Sequence, residues 1–223
     1  MDENEHTDGS THGHSHDHSH DHDNGHSHDH HHEHSHDHDH DFTDRADRLN
    51  DPVQYRYLSA EELREWLNPE PDWVVADLGS GTGFYTDEIA PIVDVVYAVD
   101  VYEGMHEHYR DRGVPENVEL VTADVHSTPL NDDQLDGAVS LRTFHHGVSD
   151  SLDEIARIIR PGGRLVVVDW SATGVGDRER GPAPEECFDL ATVQTLLLDH
   201  GFKIQAAQER RETFVVVATL RND

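Results

Sequence analysis

The sequence predicts an α/β fold in which a mostly parallel sheet carries helices on both faces. Short runs rich in Val, Ile and Leu alternate with helical segments between residues 59 and 220, an alternation typical of parallel sheets. Three successive runs are followed by acidic residues, and the first of them breaks into alternating glycines. Parallel strands end at a common edge, where such sheets bind ligands, so the pattern indicates a nucleotide-binding unit.

The first strand, 74–78, contains Asp77 and leads into the glycine loop 79–83 and a predicted helix over 84–90. Glycines are expected where the backbone must approach a ligand closely. A dinucleotide loop of the form Gly-x-Gly-x-x-Gly would need glycine where Phe84 stands, and it usually lacks an acid before the first glycine. A nicotinamide-dependent oxidoreductase is therefore the weaker alternative, and Asp77 suits a ligand with a positively charged end.

Acidic residues also follow the next two predicted strands. Strand 95–99 ends in Asp100, about 20 residues after the first glycine, where an acid accepts hydrogen bonds from both ribose hydroxyls. Strand 118–122 is followed by Asp124. Taken singly, Asp100 could be a turn residue and Asp124 a helix N-cap, since Asp is favoured there. One ligand lying across the carboxyl edge of the sheet explains the acids together.

With these motifs the sequence resembles the class I S-adenosylmethionine-dependent methyltransferases, and within them the type 11 and quinone-biosynthesis C-methyltransferases. The resemblance extends from about residue 58 to residue 220 and implies a Rossmann-like sheet of seven strands in the order 3-2-1-4-5-7-6. It implies S-adenosylmethionine as cofactor, with the Asp124 side chain accepting from the adenine amino group. The residues to which it assigns cofactor binding are Asp77, Gly79, Ser80, Gly81, Thr82, Gly83, Asp100, Val101, Asp124, Val125 and Leu141.

The second half of the chain continues the family pattern. A fourth strand, 135–141, is followed by a segment where the family places residues that face the reacting methyl group. A helix over 152–159 and an Arg-Pro-Gly-Gly turn at 160–163 lead to the strand 164–169. The closing strand pair is expected at 202–208 and 212–220.

Methyl transfer needs a base only if the accepting atom arrives protonated. His145 and His146 follow the fourth strand, and imidazole titrates near neutrality, so these two are the first candidates. Asp169, at the end of the fifth strand, is the third candidate, with Trp170 beside it as a wall or cation–π partner for the sulfonium. A His-His pair that only shapes the pocket is the alternative.

The predicted acceptor is a small molecule. No Asn-Pro-Pro-Tyr-like run follows the fourth strand, which disfavours amino methylation of a nucleic-acid base, and the single Cys187 cannot supply multi-cysteine arsenic chemistry. The segment 171–188, rich in Gly, Pro and charge, stands where relatives form a substrate lid. A quinone, a phenol and a thiol all remain open as acceptors.

The region before the first strand divides into an arm and a helix. Residues 42–58 are expected to form a loosely structured arm, whose Tyr55 and Tyr57 either face the substrate or pack on the sheet edge. A helix over 59–67 begins with a capping box of Ser59 and Glu62. The methyltransferase domain is therefore placed at 59–223.

Charge and composition restrict the partners. Residues 1–41 contain 12 of the 47 acidic side chains and none of the 16 basic ones, which leaves 35 acidic against 16 basic side chains on residues 42–223. A surface this acidic, with the single lysine Lys203, resembles proteins of salt-loving archaea and offers no basic stripe for nucleic acid. With one cysteine, no signal peptide and no long apolar run, the chain is expected to be cytoplasmic, without stable membrane insertion. Its oligomeric state is left open.

Residues 1–41 form a tail in which histidine alternates with Asp, Ser and Glu, and 16 of the 22 histidines of the chain lie there. The segment has almost nothing apolar to bury, so disorder is expected, and its imidazoles are ligands for Zn, Ni, Co or Cu ions. The alternatives are a solvating tail, or a metal storage, delivery or sensing protein in which the fold is a docking module. The predicted metal ligands are His12, His14, His16, His18, His20, His22, His26, His28, His30, His31, His32, His34, His36, His38 and His40.

Overall fold

The structure, a computed structural model, describes residues 46–174 and 180–222. These residues form a seven-stranded sheet with the strand order β3-β2-β1-β4-β5-β7-β6. Strands β1 to β5 run parallel, and β7 pairs antiparallel with both β5 and β6. The predicted fold class and strand order are confirmed. The strands are β1 (Val74–Leu78), β2 (Val95–Asp100), β3 (Val118–Thr122), β4 (Leu135–Leu141), β5 (Ile159–Trp170), β6 (Phe202–Glu209) and β7 (Thr213–Leu220).

Five α-helices of the described residues pack on the two faces of this sheet. One face is covered by α4 and α5, whose Leu152 and Leu197 are fully buried. The other face is covered by α1, α2 and α3, among them the fully buried Leu63 and Tyr109. Because both faces are covered, the strands are continuous apolar runs rather than alternating ones. The helices are α1 (Ala60–Leu67), α2 (Thr86–Ile89), α3 (Glu103–Arg112), α4 (Leu152–Ile158) and α5 (Leu190–Asp199).

The capping box at the start of α1 is present as predicted. Ser59 accepts from the Glu62 backbone N–H, and the Glu62 carboxylate accepts from the Ser59 N–H. The helix ends at Asn68, which adopts the left-handed conformation with φ 42°. None of the helices in the described ranges is both long and apolar enough to cross a membrane.

Two elements differ from the prediction. The helix after the glycine loop is α2 alone, followed by a 3-10 turn at Ala90–Ile92. Pro91 has no N–H to continue the α-helical hydrogen bonds. The Arg-Pro-Gly-Gly segment 160–163 is a bulge inside β5 rather than a turn before it, because Ile159 already pairs with Leu135 and Arg164 pairs with Gly137.

The described part of the arm, 46–58, is ordered rather than loosely structured. It contains a helical stretch over 46–49 and a 3-10 helix at Pro52–Arg56. The Tyr85 hydroxyl lies 2.9 Å from the carbonyl oxygens of Gln54 and Leu58, and both arm residues are buried. The arm therefore packs with the domain that the sequence places at 59–223.

Candidate active site and cofactor cleft

The glycine loop leaves β1 in a conformation that requires glycine. Gly79, Gly81 and Gly83 all have positive φ, at 81°, 55° and 83°. A Cβ at Gly79 would lie 2.5 Å from Thr143 Cγ2, and one at Gly83 would lie 2.2 Å from the Tyr109 ring. The loop thus packs against its own neighbours, while Gly81 meets only Leu49 of the arm, at 3.4 Å.

Asp77 lies beneath the glycine loop rather than at its surface. The residue is 2 % exposed, and its Oδ2 accepts a hydrogen bond of 2.7 Å from Thr86 Oγ1 at the start of α2. Burial raises the pKa of Asp77 to about 6, with a smaller contribution from the nearby Asp100 carboxylate. The acid before the loop therefore ties β1 to α2.

Asp100 ends β2 directly beside the loop. Its Oδ2 accepts from the Gly81 N–H at 2.8 Å and its Oδ1 accepts from the Tyr102 N–H at 2.9 Å. A carboxylate has about four lone-pair sites, so about two are left for a ligand. Val101, the next residue, is 54 % exposed, an apolar side chain at the surface beside an acid.

The other cofactor candidates lie at the same edge. Asp124 Oδ1 accepts from the His126 N–H at 2.9 Å and lies 2.8 Å from His126 Nδ1. These bonds lower the pKa of Asp124, and they hold a turn rather than cap a helix. Val125 is half-buried, and Leu141 at the end of β4 is buried.

These residues fit a ribose-bearing cofactor with polar ends. The Ser80 hydroxyl is buried and has no hydrogen-bond partner among the described residues, so a donor or acceptor remains open at the loop. Thr82 differs, because its hydroxyl donates to Asn50 Oδ1 of the arm at 2.8 Å. The open hydroxyl, the spare lone pairs of Asp100 and the exposed Val101 are the features that a nucleoside would use.

The structure brings the three predicted catalytic residues together, and two of them, His145 and Asp169, are joined by hydrogen bonds. His145 Nδ1 lies 2.8 Å and 2.9 Å from the two carboxylate oxygens of Asp169, and the His145 N–H donates to Oδ2 at 2.8 Å. The two side chains are 5 % and 1 % exposed. Since a carboxylate only accepts, Nδ1 carries the proton and Nε2 is the basic nitrogen. His146 is exposed, with its ring centroid 3.9 Å from that of His145.

Arg142 lies in the segment after β4 that the family pattern places toward the reacting methyl group, and the sequence assigns it no role of its own. It follows β4 with φ 62°, a backbone conformation that is uncommon outside glycine. Its guanidinium donates to Gln54 Oε1 of the arm and lies over the rings of Tyr57 and Tyr85, at 5.9 Å and 5.6 Å. Burial lowers the pKa of Arg142. Its signal in the sequence is that Arg142 is the only Arg or Lys between positions 113 and 156.

The arm and the segment after β5 converge on this edge. Tyr57 is 5 % exposed and packs edge-on against Trp170 with ring centroids 4.7 Å apart, whereas Tyr55 is 37 % exposed and packs on Phe84. A Cβ at Gly181 would lie 2.8 Å from the Trp170 ring. Trp170 is thus packed between the arm and the segment after β5 at the carboxyl edge of the sheet.

A salt bridge joins the two covering segments. Arg180 contacts Asp51 of the arm at 3.2 Å, which connects the segment after β5 with the arm. Part of the predicted lid, 175–179, lies outside the described residues, as does the histidine tail with its predicted metal ligands. Within 46–174 and 180–222, no group of three or more His, Cys, Asp or Glu side chains could hold a metal ion.

Comparison with known proteins shows which proteins this chain resembles. A family model described as a methyltransferase domain matches residues 76–167. A demethylmenaquinone methyltransferase of Corynebacterium kroppenstedtii is 38% identical over 111 residues, which cover 48% of this chain and 46% of that protein. A ubiquinone/menaquinone biosynthesis C-methyltransferase of Ectopseudomonas mendocina is 38% identical over 111 residues, covering 45% of this chain and 43% of that protein. The match therefore spans less than half the length of either relative.

A solved structure extends the likeness beyond the matched domain. A SAM dependent methyltransferase from Aquifex aeolicus superposes with a TM-score of 0.71 at 28% identity, covering 79% of this chain and 97% of that chain. The roles of individual site residues stay predictions. The resemblance itself is confirmed: residues 76–167 match a methyltransferase domain, and the chain has the fold of the class I S-adenosylmethionine-dependent methyltransferases.

Proposed function

We propose that the chain transfers a methyl group from S-adenosylmethionine to a small-molecule acceptor, with His145 as the general base. The observation that carries this proposal is the buried pair of His145 and Asp169. It lies at the same edge of the sheet as the glycine loop and Asp100. The family match supports the donor, and the pair supports chemistry on a protonated acceptor.

Backbone and carboxylate groups hold the donor. S-Adenosylmethionine supplies an electrophilic methyl group on a sulfonium for in-line displacement. Asp100 would accept from the ribose hydroxyls with the lone pairs that the Gly81 and Tyr102 N–H groups leave free, and Val101 would pack on the adenine. The Ser80 hydroxyl gains a polar partner. The arm, held by the bond from Thr82 to Asn50, covers the loop and excludes water.

The pair acts on the acceptor. Asp169 keeps the proton of His145 on Nδ1, so that Nε2 is free to take the proton of a hydroxyl, thiol or activated carbon. The Asp169 carboxylate then stabilises the imidazolium of His145 that forms, because the two opposite charges are adjacent and shielded from water. The Tyr57 ring packs edge-on against Trp170, which follows Asp169 in the sequence, and the two rings would form an aromatic wall for the acceptor.

The names of the relatives and the aromatic side chains Tyr57 and Trp170 support one class of acceptor. The relatives are named for methylation steps in menaquinone and ubiquinone biosynthesis, and an aromatic wall suits a flat ring. A quinol ring is therefore the first acceptor to test, with phenols and thiols as the further candidates. The acidic surface supports no nucleic-acid substrate.

Calorimetry at high salt tests the donor. We expect S-adenosylmethionine and S-adenosylhomocysteine to bind and NAD not to bind, since Phe84 replaces the glycine that a dinucleotide loop needs. Failure of both sulfur compounds to bind would contradict the proposal. A screen of quinols, phenols and thiols with a labelled methyl donor then identifies the acceptor.

A second function is proposed for the tail. Its alternating histidines support binding of Zn, Ni, Co or Cu ions, because neutral imidazole is a ligand for each of them. Calorimetry with zinc on the whole chain and on a chain without residues 1–41 tests this. We expect binding that is lost with the tail and weakened at acidic pH, where imidazole is protonated. Equal zinc binding by both chains would refute a metal-binding tail.

A further inference from the structure

A cavity of about 230 Å³ lies where the arm meets the hairpin between β6 and β7. The hairpin continues the sheet past the end of β5, since Thr213 pairs with Trp170 and the Glu212 carbonyl accepts from the Ser171 N–H at 3.1 Å. The cavity is therefore beside the edge that carries Asp169. Its lining residues are Arg56, Tyr57, Arg210, Arg211, Glu212 and Thr213.

Three of these six residues are arginines, in a part of the chain where acidic side chains outnumber basic ones by 35 to 16. Arg56 contacts Glu212 at 2.8 Å, and Arg210 contacts Glu62 of α1. Arg211 is exposed and has no carboxylate partner among the described residues. Of the three arginines, Arg211 is therefore the one whose charge no carboxylate of the described residues neutralises.

The arginines are suited to hold an anion. A guanidinium presents its N–H donors as a planar fork that matches carboxylate and phosphate oxygens. Arg210 is fixed in place, because its Nη1 donates to the Tyr57 carbonyl at 2.6 Å and its Nη2 to Glu62. A water molecule occupies about 30 Å³ of liquid, so the cavity has room for a group of a few heavy atoms.

The cavity shares a wall with the candidate active site. Tyr57 lines the cavity, and its ring packs on Trp170, which follows Asp169 in β5. A molecule with a charged end in the cavity would thus place its other end toward the edge that carries the candidate base. Nothing in the chemistry of the methyl donor requires this cavity.

We propose that this arginine cavity binds the carboxylate or phosphate group of the methyl acceptor. The proposal rests on the proposed function, and it narrows the acceptor to molecules that carry an anionic group at some distance from the methylated atom. Arg211, which has no competing carboxylate, is the residue that discriminates charged from neutral acceptors.

Calorimetry on the full chain at one KCl concentration tests the cavity without any methyl transfer. The probes are benzoate, phenyl phosphate and neutral benzamide. We expect one or both anions to bind and benzamide not to bind, and the stronger anion identifies the group. Arg211→Ala should weaken anion binding about tenfold, as expected on losing a charged hydrogen bond, and Arg211→Lys should restore part of it.

Arg221→Ala is the matched control, because it removes one exposed arginine at the other end of β7. Equal weakening by both variants would reveal a general charge effect and overturn the proposal, as would the absence of anion binding. With an acceptor in hand, Arg211→Ala should raise KM for the acid and not for its matched amide. Equal changes of KM for the acid and the amide would show that the acceptor does not bind in the cavity. Anion binding without any methyl transfer would contradict only the proposed function.

Discussion

The two halves of the carboxyl edge of the sheet are built in different ways. In the half proposed to bind the cofactor, called the cofactor half, three left-handed glycines and the N–H groups that orient Asp100 shape the ends of β1, β2 and β3. In the half proposed to bind the acceptor, called the acceptor half, side chains at the ends of β4 and β5 contact other side chains, as His145 contacts Asp169 and Arg142 contacts Gln54. The cofactor half is therefore expected to tolerate loss of single side chains better than changes of backbone.

The largest effect is expected in the acceptor half. His145→Ala should lower kcat by about 10²- to 10⁴-fold, the usual contribution of a general base, and leave S-adenosylhomocysteine affinity unchanged. Asp169→Asn should act in the same direction, because the amide cannot select the Nδ1 proton in the same way. Steady-state kinetics and calorimetry separate the two quantities. If His146→Ala costs as much as His145→Ala, the buried pair is not the base.

The next effect tests the backbone of the cofactor half. Gly83→Ala should lower the free energy of unfolding by about 3 kcal/mol, since it adds a clash with the Tyr109 ring to the strain of a positive φ. Gly113→Ala is the matched control, because φ there is 95° but no atom lies within 4 Å of the added Cβ. Urea unfolding of both variants isolates the contact. Equal losses would show that Tyr109 moves aside.

A pH series probes the one buried carboxylate under the loop. The pKa of Asp77 is raised from 3.8 to about 6, so its contribution to stability is present below pH 3.8 and is lost as pH rises through about 6. The contribution of Asp77 to the free energy of unfolding is therefore roughly 3 kcal/mol smaller above pH 6 than below pH 3.8. Asp77→Asn keeps an acceptor for Thr86 and stays neutral, so it should gain stability relative to the unsubstituted chain as pH rises from about 4 to about 7.

Urea unfolding at several pH values measures that gain, with the exposed Asp94→Asn as control. A gain that is the same at every pH would mean that folding does not raise the pKa of Asp77.

The smallest effect concerns Asp100. Asp100→Ala should weaken S-adenosylhomocysteine binding by at least about 1 kcal/mol through the loss of hydrogen bonds to a buried partner. Asp111→Ala, an exposed acid at the other end of α3, is the charge-matched control. Calorimetry gives both affinities. Unchanged binding in Asp100→Ala would mean that the ribose lies elsewhere, and that backbone alone holds the cofactor.

The contrast between backbone shape and side-chain contacts also explains which features the sequence could predict. Strands β3 and β4 have the predicted bounds, because buried parallel strands are apolar runs with polar residues at their ends. The glycine loop was recognisable because a local pattern encodes a local backbone shape. The contact of Arg142 with Gln54 joins residues 88 positions apart, and no local pattern encodes it. The cytoplasmic location, the salt-loving origin and the metal ligands of the tail stay predictions.

The docked arm has a practical consequence for where this protein can be shortened. Cutting at residue 59, where the sequence places the start of the domain, would take away Gln54 from the Arg142 guanidinium and Asn50 from the Thr82 hydroxyl. It would also strip the Tyr85 hydroxyl of both its carbonyl partners. A minimal folded fragment thus has to retain residues 46–58, and a tail-free version is best cut upstream of Ala46.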